Sequence, residues 1–389
     1  MFSEQEVIAQ LEHQFGSLTD RCGYTDGFLT KLSLSNLLPE ELPTEIGLLV
    51  HLQELNVSHN NLTRLPPLIG KLVHLQKLNV LNNDLTYLPP AIGELVHLQE
   101  LDVSQNSLTH LPSAIGKLVH LQELNVTGNL LKELPTELWH LTNLQRLLLY
   151  ENMIDSLSSE IDQLVNVEYI GLDDNPLTSL PPEVGNLRQL QSLGCSDCQL
   201  TTLPDELCFL PHLKHLLLSG NQLVVLPKSF RKLVSLSTLN LSYNQLEYLP
   251  SDMSQLINLR EFDLTHNQLE YLPSDMSQLI NLREFDLTHN QLKKLPSGIG
   301  QLESLEILSL YYNQLTTLPV ELGQLQRLRV LGLAGNPLVS LPPHLKNLET
   351  LHDLILDTVL FDTISKDMLQ FFEEKEIRVT LAPLSERSV

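Results

Sequence analysis

Leucine returns along this chain in a fixed order. From residue 52 to residue 350 the apolar positions recur every 23 residues as L-x-x-L-x-L-x-x-N-x-L-x-x-L-P, followed by about eight residues that often read I-G-x-L-x-x-L. Leu52, Leu55, Val57, Asn60, Leu62 and Leu65 set the frame, and Leu75, Leu78, Val80, Asn83, Leu85 and Leu88 repeat it. It holds without an insertion through Leu328, Leu331, Leu333, Asn336, Leu338 and Leu341, which makes 13 full units. A degenerate unit precedes them (Leu29, Leu32, Leu34) and another follows (Leu351, Leu354, Leu356).

Each position predicts a local structure. The L-x-L step places two side chains on one face of a short strand and the residue between them on the other. The asparagine falls where the chain leaves the strand, and its amide can both donate to and accept from backbone groups there. It recurs as Asn60, Asn83, Asn106, Asn129, Asn152, Asn175, Asn221, Asn244, Asn267, Asn290, Asn313 and Asn336, with Cys198 in that place once. The proline after the later leucine (Pro66, Pro89, Pro112) suits the first turn of a short helix. The glycine of I-G is expected to let that segment turn tightly.

One such unit cannot bury its own leucines, so neighbours must stack. The predicted fold is α/β: a solenoid bent into a horseshoe, with a parallel sheet on the concave side and short helical or 3-10 segments on the convex side. Its two ends need caps. Residues 1–28, with Val7, Ile8, Leu11 and Phe15, fit an N-terminal helical cap, residues 29–359 the repeats, and residues 360–389 a C-terminal cap and tail. Met368, Leu369, Phe371 and Phe372 fit a helix there, followed by an extended I-R-V-T-L. Residues 246–268 recur unchanged at 269–291, an in-frame duplication that a solenoid tolerates because each unit touches only its neighbours.

These residues resemble the typical 23-residue leucine-rich repeats of Ras-scaffolding proteins, Scribble-type polarity proteins, plant intracellular Ras-group repeats and bacterial repeat proteins, including effectors delivered into host cells. The resemblance spans about residues 29–356. It implies protein recognition on the concave face and names no ligand. No catalytic cysteine domain, kinase or GTPase is expected beside the repeats. Phe371-Phe372-Glu373-Glu374-Lys375-Glu376 also resembles the glutamate-rich tail of type IV-secreted effectors, although an acidic cap helix reads the same way.

Composition narrows the partners. The chain carries 24 Lys plus Arg against 47 Asp plus Glu, a formal charge of −23. That field repels phosphate backbones and anionic lipid headgroups, so nucleic acid and membrane surfaces are not expected as partners, and basic protein surfaces are. The beginning, MFSEQEVIAQLEHQF, is acidic and lacks a long apolar core, and no run of about 18 apolar residues occurs. Together with four cysteines in no disulfide framework, this predicts a cytoplasmic protein without membrane insertion. The alternative is delivery into a host cytosol by a signal-independent route.

Residues that carry chemistry elsewhere read here as structural. In register, Cys195 replaces an inward leucine and Cys198 the ladder asparagine, so this C-x-x-C is expected in the core rather than on a metal or in a redox centre. His51, His74, His97 and His120 stand one repeat apart, which predicts a row at about 5 Å spacing. No carboxylate in that column completes a metal shell. No phosphate loop and no nucleophile elbow is present. We therefore expect no catalytic residues, no metal and no cofactor.

The binding surface is read from the residue between the two strand leucines. That column runs Asn56, Asn79, Asp102, Asn125, then Leu148, Gly171, Gly194, Leu217, then Asn240, Asp263, Asp286, Ser309 and Gly332. The middle block replaces polar residues with two leucines around two glycines, which predicts a hollow with an apolar rim. Tyr150 and Tyr169 fall in neighbouring columns, bordered by Glu151, Asp173, Asp174 and Asp197. A concave apolar patch with aromatics and a charged border suits a basic or amphipathic segment of a partner protein. A second candidate groups Tyr243, His266, His289, Tyr311 and Tyr312.

Overall fold

Where the sequence reads L-x-L the backbone forms a three-residue strand, and strands of successive repeats pair in parallel, one repeat out of step in number. A computed structural model describes residues 3–382. The chain divides into two compact units, Met1–Cys198 and Gln199–Val389.

The first unit opens with helix α1 (Glu4–Phe15). Ser3 and Glu6 cap it reciprocally: the Ser3 side chain accepts from the Glu6 N–H, and the Glu6 carboxylate accepts from the Ser3 N–H. Val7 and Leu11 are buried beneath it. Strand β1 (Cys22–Thr25) then pairs antiparallel with β2 (Phe28–Ser33). Asp26 and Gly27 form the two-residue turn between them, both at positive φ (52° and 84°), a geometry an Asp-Gly pair favours. This hairpin is absent from the sequence expectation of a helical cap, and it pairs one edge of β2. Parallel strands follow: β3 (Glu54–Asn56), β4 (Lys77–Asn79), β5 (Glu100–Asp102), β6 (Glu123–Asn125), β7 (Arg146–Leu148), β8 (Tyr169–Gly171) and β9 (Ser192–Gly194). The register is one repeat throughout, as in Leu55 opposite Leu78 and Asn56 opposite Asn79. Middle residues such as Leu55, Leu78 and Leu101 enter the core, and those on either side lie on the sheet face.

The asparagine ladder does more than close a turn. Asn83 Oδ1 accepts from Leu62 N–H at 3.0 Å, while its Nδ2 donates to the carbonyls of Val80 (3.0 Å) and Val57 (3.1 Å). One buried amide therefore ties its own repeat to the preceding one and leaves no polar atom unpaired. Cys198 reproduces part of this role by donating from Sγ to the Leu172 carbonyl at 3.4 Å.

In most repeats the segment after the strand is a short 3-10 helix; between Asp263 and Glu284 it is turns alone. The proline predicted to start it sits one step earlier, in extended backbone: Pro66 (φ −65°, ψ 142°) precedes the helix Pro67–Lys71. The I-G glycine also has a different cause from the one expected. Gly47 and Gly116 have no positive φ; a Cβ on Gly47 would stand 2.4 Å from the Leu68 carbonyl oxygen, and one on Gly116 2.5 Å from that of Glu137. Glycine is needed because the next repeat approaches closely.

The second unit continues the pattern with β10 (His215–Leu217), β11 (Thr238–Asn240), β12 (Glu261–Asp263), β13 (Glu284–Asp286), β14 (Ile307–Ser309), β15 (Val330–Gly332) and β16 (Asp353–Leu356). The duplicated repeats put Phe262 and Phe285 at the inward strand position, stacked in the core with ring centroids 5.3 Å apart. After α2 (Thr358–Phe361) and α3 (Lys366–Glu374), strand β17 (Arg378–Leu381) pairs parallel with β16. Helix α3 buries Met368 and Phe372, so part of the Phe371–Glu376 segment is held in the core.

Candidate protein-binding surfaces

In the first unit the patch predicted around Tyr150 lies on β7, β8 and β9 and the turns that follow them. Leu148, Tyr150, Tyr169 and Asp173 are half-buried, and Glu151, Asp174 and Asp197 are exposed. The expected hollow is filled. A Cβ on Gly171 would meet the Tyr150 ring at 2.2 Å, and one on Gly194 would meet the Asp173 carboxylate at 2.4 Å. Both glycines are buried because a larger side chain of the preceding repeat lies over each. Asp173 reaches across Gly194 to accept from the Ser196 N–H at 2.7 Å.

The filled site is a fixed aromatic platform. The hydroxyls of Tyr150 and Tyr169 share a hydrogen bond, and the Arg146 guanidinium stands 4.8 Å above the centre of the Tyr169 ring. Burial, then the bond to Tyr169, pushes the Tyr150 phenol far above its ordinary range. Two rings and Leu148 thus present apolar surface with little side-chain freedom left to lose on binding.

Leu217, the remaining member of that predicted patch, belongs to the second unit. There it lies half-buried on β10 and lines a recess of about 280 Å³ with Glu261, Asp263, Glu284, Asp286 and Ile307. The second predicted group is brought together as a stack. Ring centroids are 4.3 Å apart for Tyr243 and His266, 4.1 Å for His266 and His289, and 4.4 Å for His289 and Tyr312. All four residues have left-handed backbone, with φ between 50° and 54°. Tyr311 is not in that stack; its ring covers Gly332, where a Cβ would come within 2.2 Å of it.

Other candidates are placed as follows. Cys195 and Cys198 are buried; burial drives the Cys195 thiol well up and that of Cys198 to about 11, which leaves both unreactive as nucleophiles at neutral pH. The histidine row is wider than expected: His74, His97 and His120 are 6.3 and 6.0 Å apart, and His51 meets Phe28 at 4.1 Å. Among the described residues no group of three or more His, Cys, Asp or Glu is arranged to hold a metal ion. No described helix is long and apolar enough to cross a membrane.

Comparison with known proteins agrees with the repeat. Residues 154–269 match a leucine-rich repeat region, residues 73–131 and 280–338 a leucine rich repeat family, and residues 50–90 a two-copy leucine rich repeat family. A leucine-rich-repeat protein of Leptospira interrogans is 36% identical over 90% of this chain and 95% of its own, with a TM-score of 0.81. The chain belongs to the leucine-rich-repeat family. This repeat protein is also similar to YopM, a leucine-rich effector of Yersinia pestis, at 29% identity over 84% of this chain and 88% of that one (TM-score 0.62). The plant peptide hormone receptor RGFR1, solved in complex with RGF2, is 29% identical over 82% of this chain and 57% of its own (TM-score 0.69). No curated protein matches it.

Two signals in the sequence were missed. A large side chain at one position accompanies glycine 21 residues later: Tyr150 with Gly171, Asp173 with Gly194, Tyr311 with Gly332. The residue before each ladder asparagine is left-handed, so aromatics there are chosen against backbone preference.

Proposed function

We propose that this leucine-rich-repeat protein is a binding module that holds a partner protein on its sheet face and performs no chemistry on it. Leucine-rich repeats commonly serve as protein-interaction modules. The observation that carries the reading for this chain is the platform of Leu148, Tyr150 and Tyr169, preorganised by the shared hydroxyl bond and by Arg146. It suits an amphipathic partner segment, with Glu151, Asp173, Asp174 and Asp197 around it to meet basic residues. The RGFR1–RGF2 complex shows a related repeat protein with a peptide partner.

The test is a pulldown with the intact chain and with Tyr150→Ala/Tyr169→Ala, read by mass spectrometry. A protein captured by the wild type and lost with the folded double variant supports the platform. Identical captures would remove it. The likeness to YopM favours a second version of the same physics, an effector acting inside a host cell. A cytoplasmic scaffold and an effector differ in a translocation assay on the C-terminal segment.

A further inference from the structure

The stacked rings of the second unit are built against the backbone's preference. The residue before the ladder asparagine is left-handed in repeat after repeat, and glycine, which suits that conformation, occupies it at Gly128, Gly220 and Gly335. Left-handed backbone is sterically unfavourable for a residue with a Cβ. Four successive repeats nevertheless place Tyr243, His266, His289 and Tyr312 there. Tyr312 closes one end of the stack over Gly335, where a Cβ would come within 2.6 Å of its ring. Tyr243 ends the other, 57% exposed, and the preceding repeat offers Gly220 at the same position, with no side chain to cover the ring's outer face.

Beside the rings lies a sheet face of one sign. Glu261 stands directly opposite Glu284 and Asp263 opposite Asp286, and all four line the recess of about 280 Å³. No Lys or Arg occupies the face positions from β10 to β15; Lys214, Arg260, Arg283 and Arg329 come one residue before β10, β12, β13 and β15, at the far end of the strands. The rings follow three residues after the strand ends, roughly 10 Å on at full extension, a span that an extended segment with long cationic side chains covers.

We propose that this face takes an extended basic segment of a partner protein, rich in arginine, whose guanidinium groups stack on the outer face of Tyr243 and pair with Glu261, Asp263, Glu284 and Asp286. A planar guanidinium answers both features, ring face and paired carboxylates, whereas an ammonium answers chiefly the charge. The inference rests on the sheet face being a binding surface, and it assigns the second unit a partner chemistry of its own.

The experiment uses the full chain and two labelled probes, nona-arginine and nona-lysine, read by fluorescence anisotropy at about 0.1 M salt. Tyr243→Gly, which suits the left-handed backbone, should weaken nona-arginine fivefold or more and nona-lysine less than twofold. Neutralising Glu261, Asp263, Glu284 and Asp286 to their amides should weaken both probes tenfold or more. Neutralising Glu206, Glu247, Glu303 and Glu321, which lie away from the strands, should change either less than threefold. The proposal is overturned if Tyr243→Gly leaves nona-arginine unchanged, or if the two neutralised sets weaken it equally. The platform in the first unit is read separately, by lysate capture with Tyr150→Ala/Tyr169→Ala, so its failure is distinguishable from failure here.

Discussion

The two units use one repeat to build opposite kinds of sheet face. In the first, most facing charges are matched from strand to strand: Lys31 pairs with Glu54 at 2.8 Å, Lys77 with Glu100 at 2.6 Å, and Arg146 with Glu123 at 3.2 Å, with Glu100 opposite Glu123 a like-charge exception. In the second, β12 and β13 set Glu261 against Glu284 and Asp263 against Asp286, and opposite charges meet only further on, at Asp353 and Arg378. Opposite charges across a strand pair stabilise a sheet and like charges destabilise it. The first face is therefore largely self-neutralised, and it carries the apolar platform of Leu148, Tyr150 and Tyr169. The second keeps its charge unspent beside a row of rings, an arrangement that favours binding over stability.

The units agree in one respect, and there the largest effects are expected. Gly171 lies under Tyr150 in the first unit and Gly332 under Tyr311 in the second. Gly171→Ala and Gly332→Ala each force a buried methyl into a ring, and each should lower stability by about 1–3 kcal/mol, as overpacking does. Urea midpoints check this. Tyr150→Ala combined with Gly171→Ala should recover part of the loss, because the clash is gone. If Gly171→Ala proves neutral, the ring does not need the glycine, and the 21-residue pairing loses its meaning.

That pairing also marks where reading the sequence stops. The ladder, the strands and the stacking order were legible because each depends on residues that recur every 23 positions. The platform was found through its leucines and tyrosines, but its glycines were read as a hollow. Each column was followed down the sheet in isolation, whereas Tyr150 crosses diagonally to cover Gly171. The left-handed rim was illegible for another reason: Tyr, His, Glu, Asp, Asn and Gly all occupy it, and only backbone angles reveal that they share a conformation. The N-terminal hairpin was missed although Asp26-Gly27 is a strong turn signal, because it lies outside the repeat.

Alkaline titration separates the half-buried Tyr150 and Tyr311. Burial raises both phenols; Tyr150 is raised further by its bond to Tyr169, and Tyr311 secondarily by Asp286 and Asp353. A phenol with a raised folded-state pKa contributes stability that is fully present below its unfolded value of about 10 and is lost as pH climbs toward the folded value. Tyrosinate absorbance should show one phenol, absent in Tyr150→Phe, that ionises only as the chain unfolds. Tyr311→Phe should remove an earlier step. If Tyr150 ionised with the exposed tyrosines in the native chain, the platform would be open rather than fixed.

The smallest effect tests the comparison by its sign. Glu54→Gln removes the carboxylate between Lys31 and Lys77, and Glu284→Gln removes a like charge opposite Glu261. Both are partly exposed sheet positions, so each change is worth only about 0.2–1 kcal/mol. The first should lower the urea midpoint and the second raise it. Both differences should shrink in about 1 M salt, where the screening length falls to about 3 Å. Two changes of the same sign would mean that strand-to-strand charge does not distinguish the faces. Opposite signs, with Glu284→Gln more stable yet weaker toward nona-arginine, would show that the second unit keeps its facing carboxylates for a ligand, since the fold is better off without them.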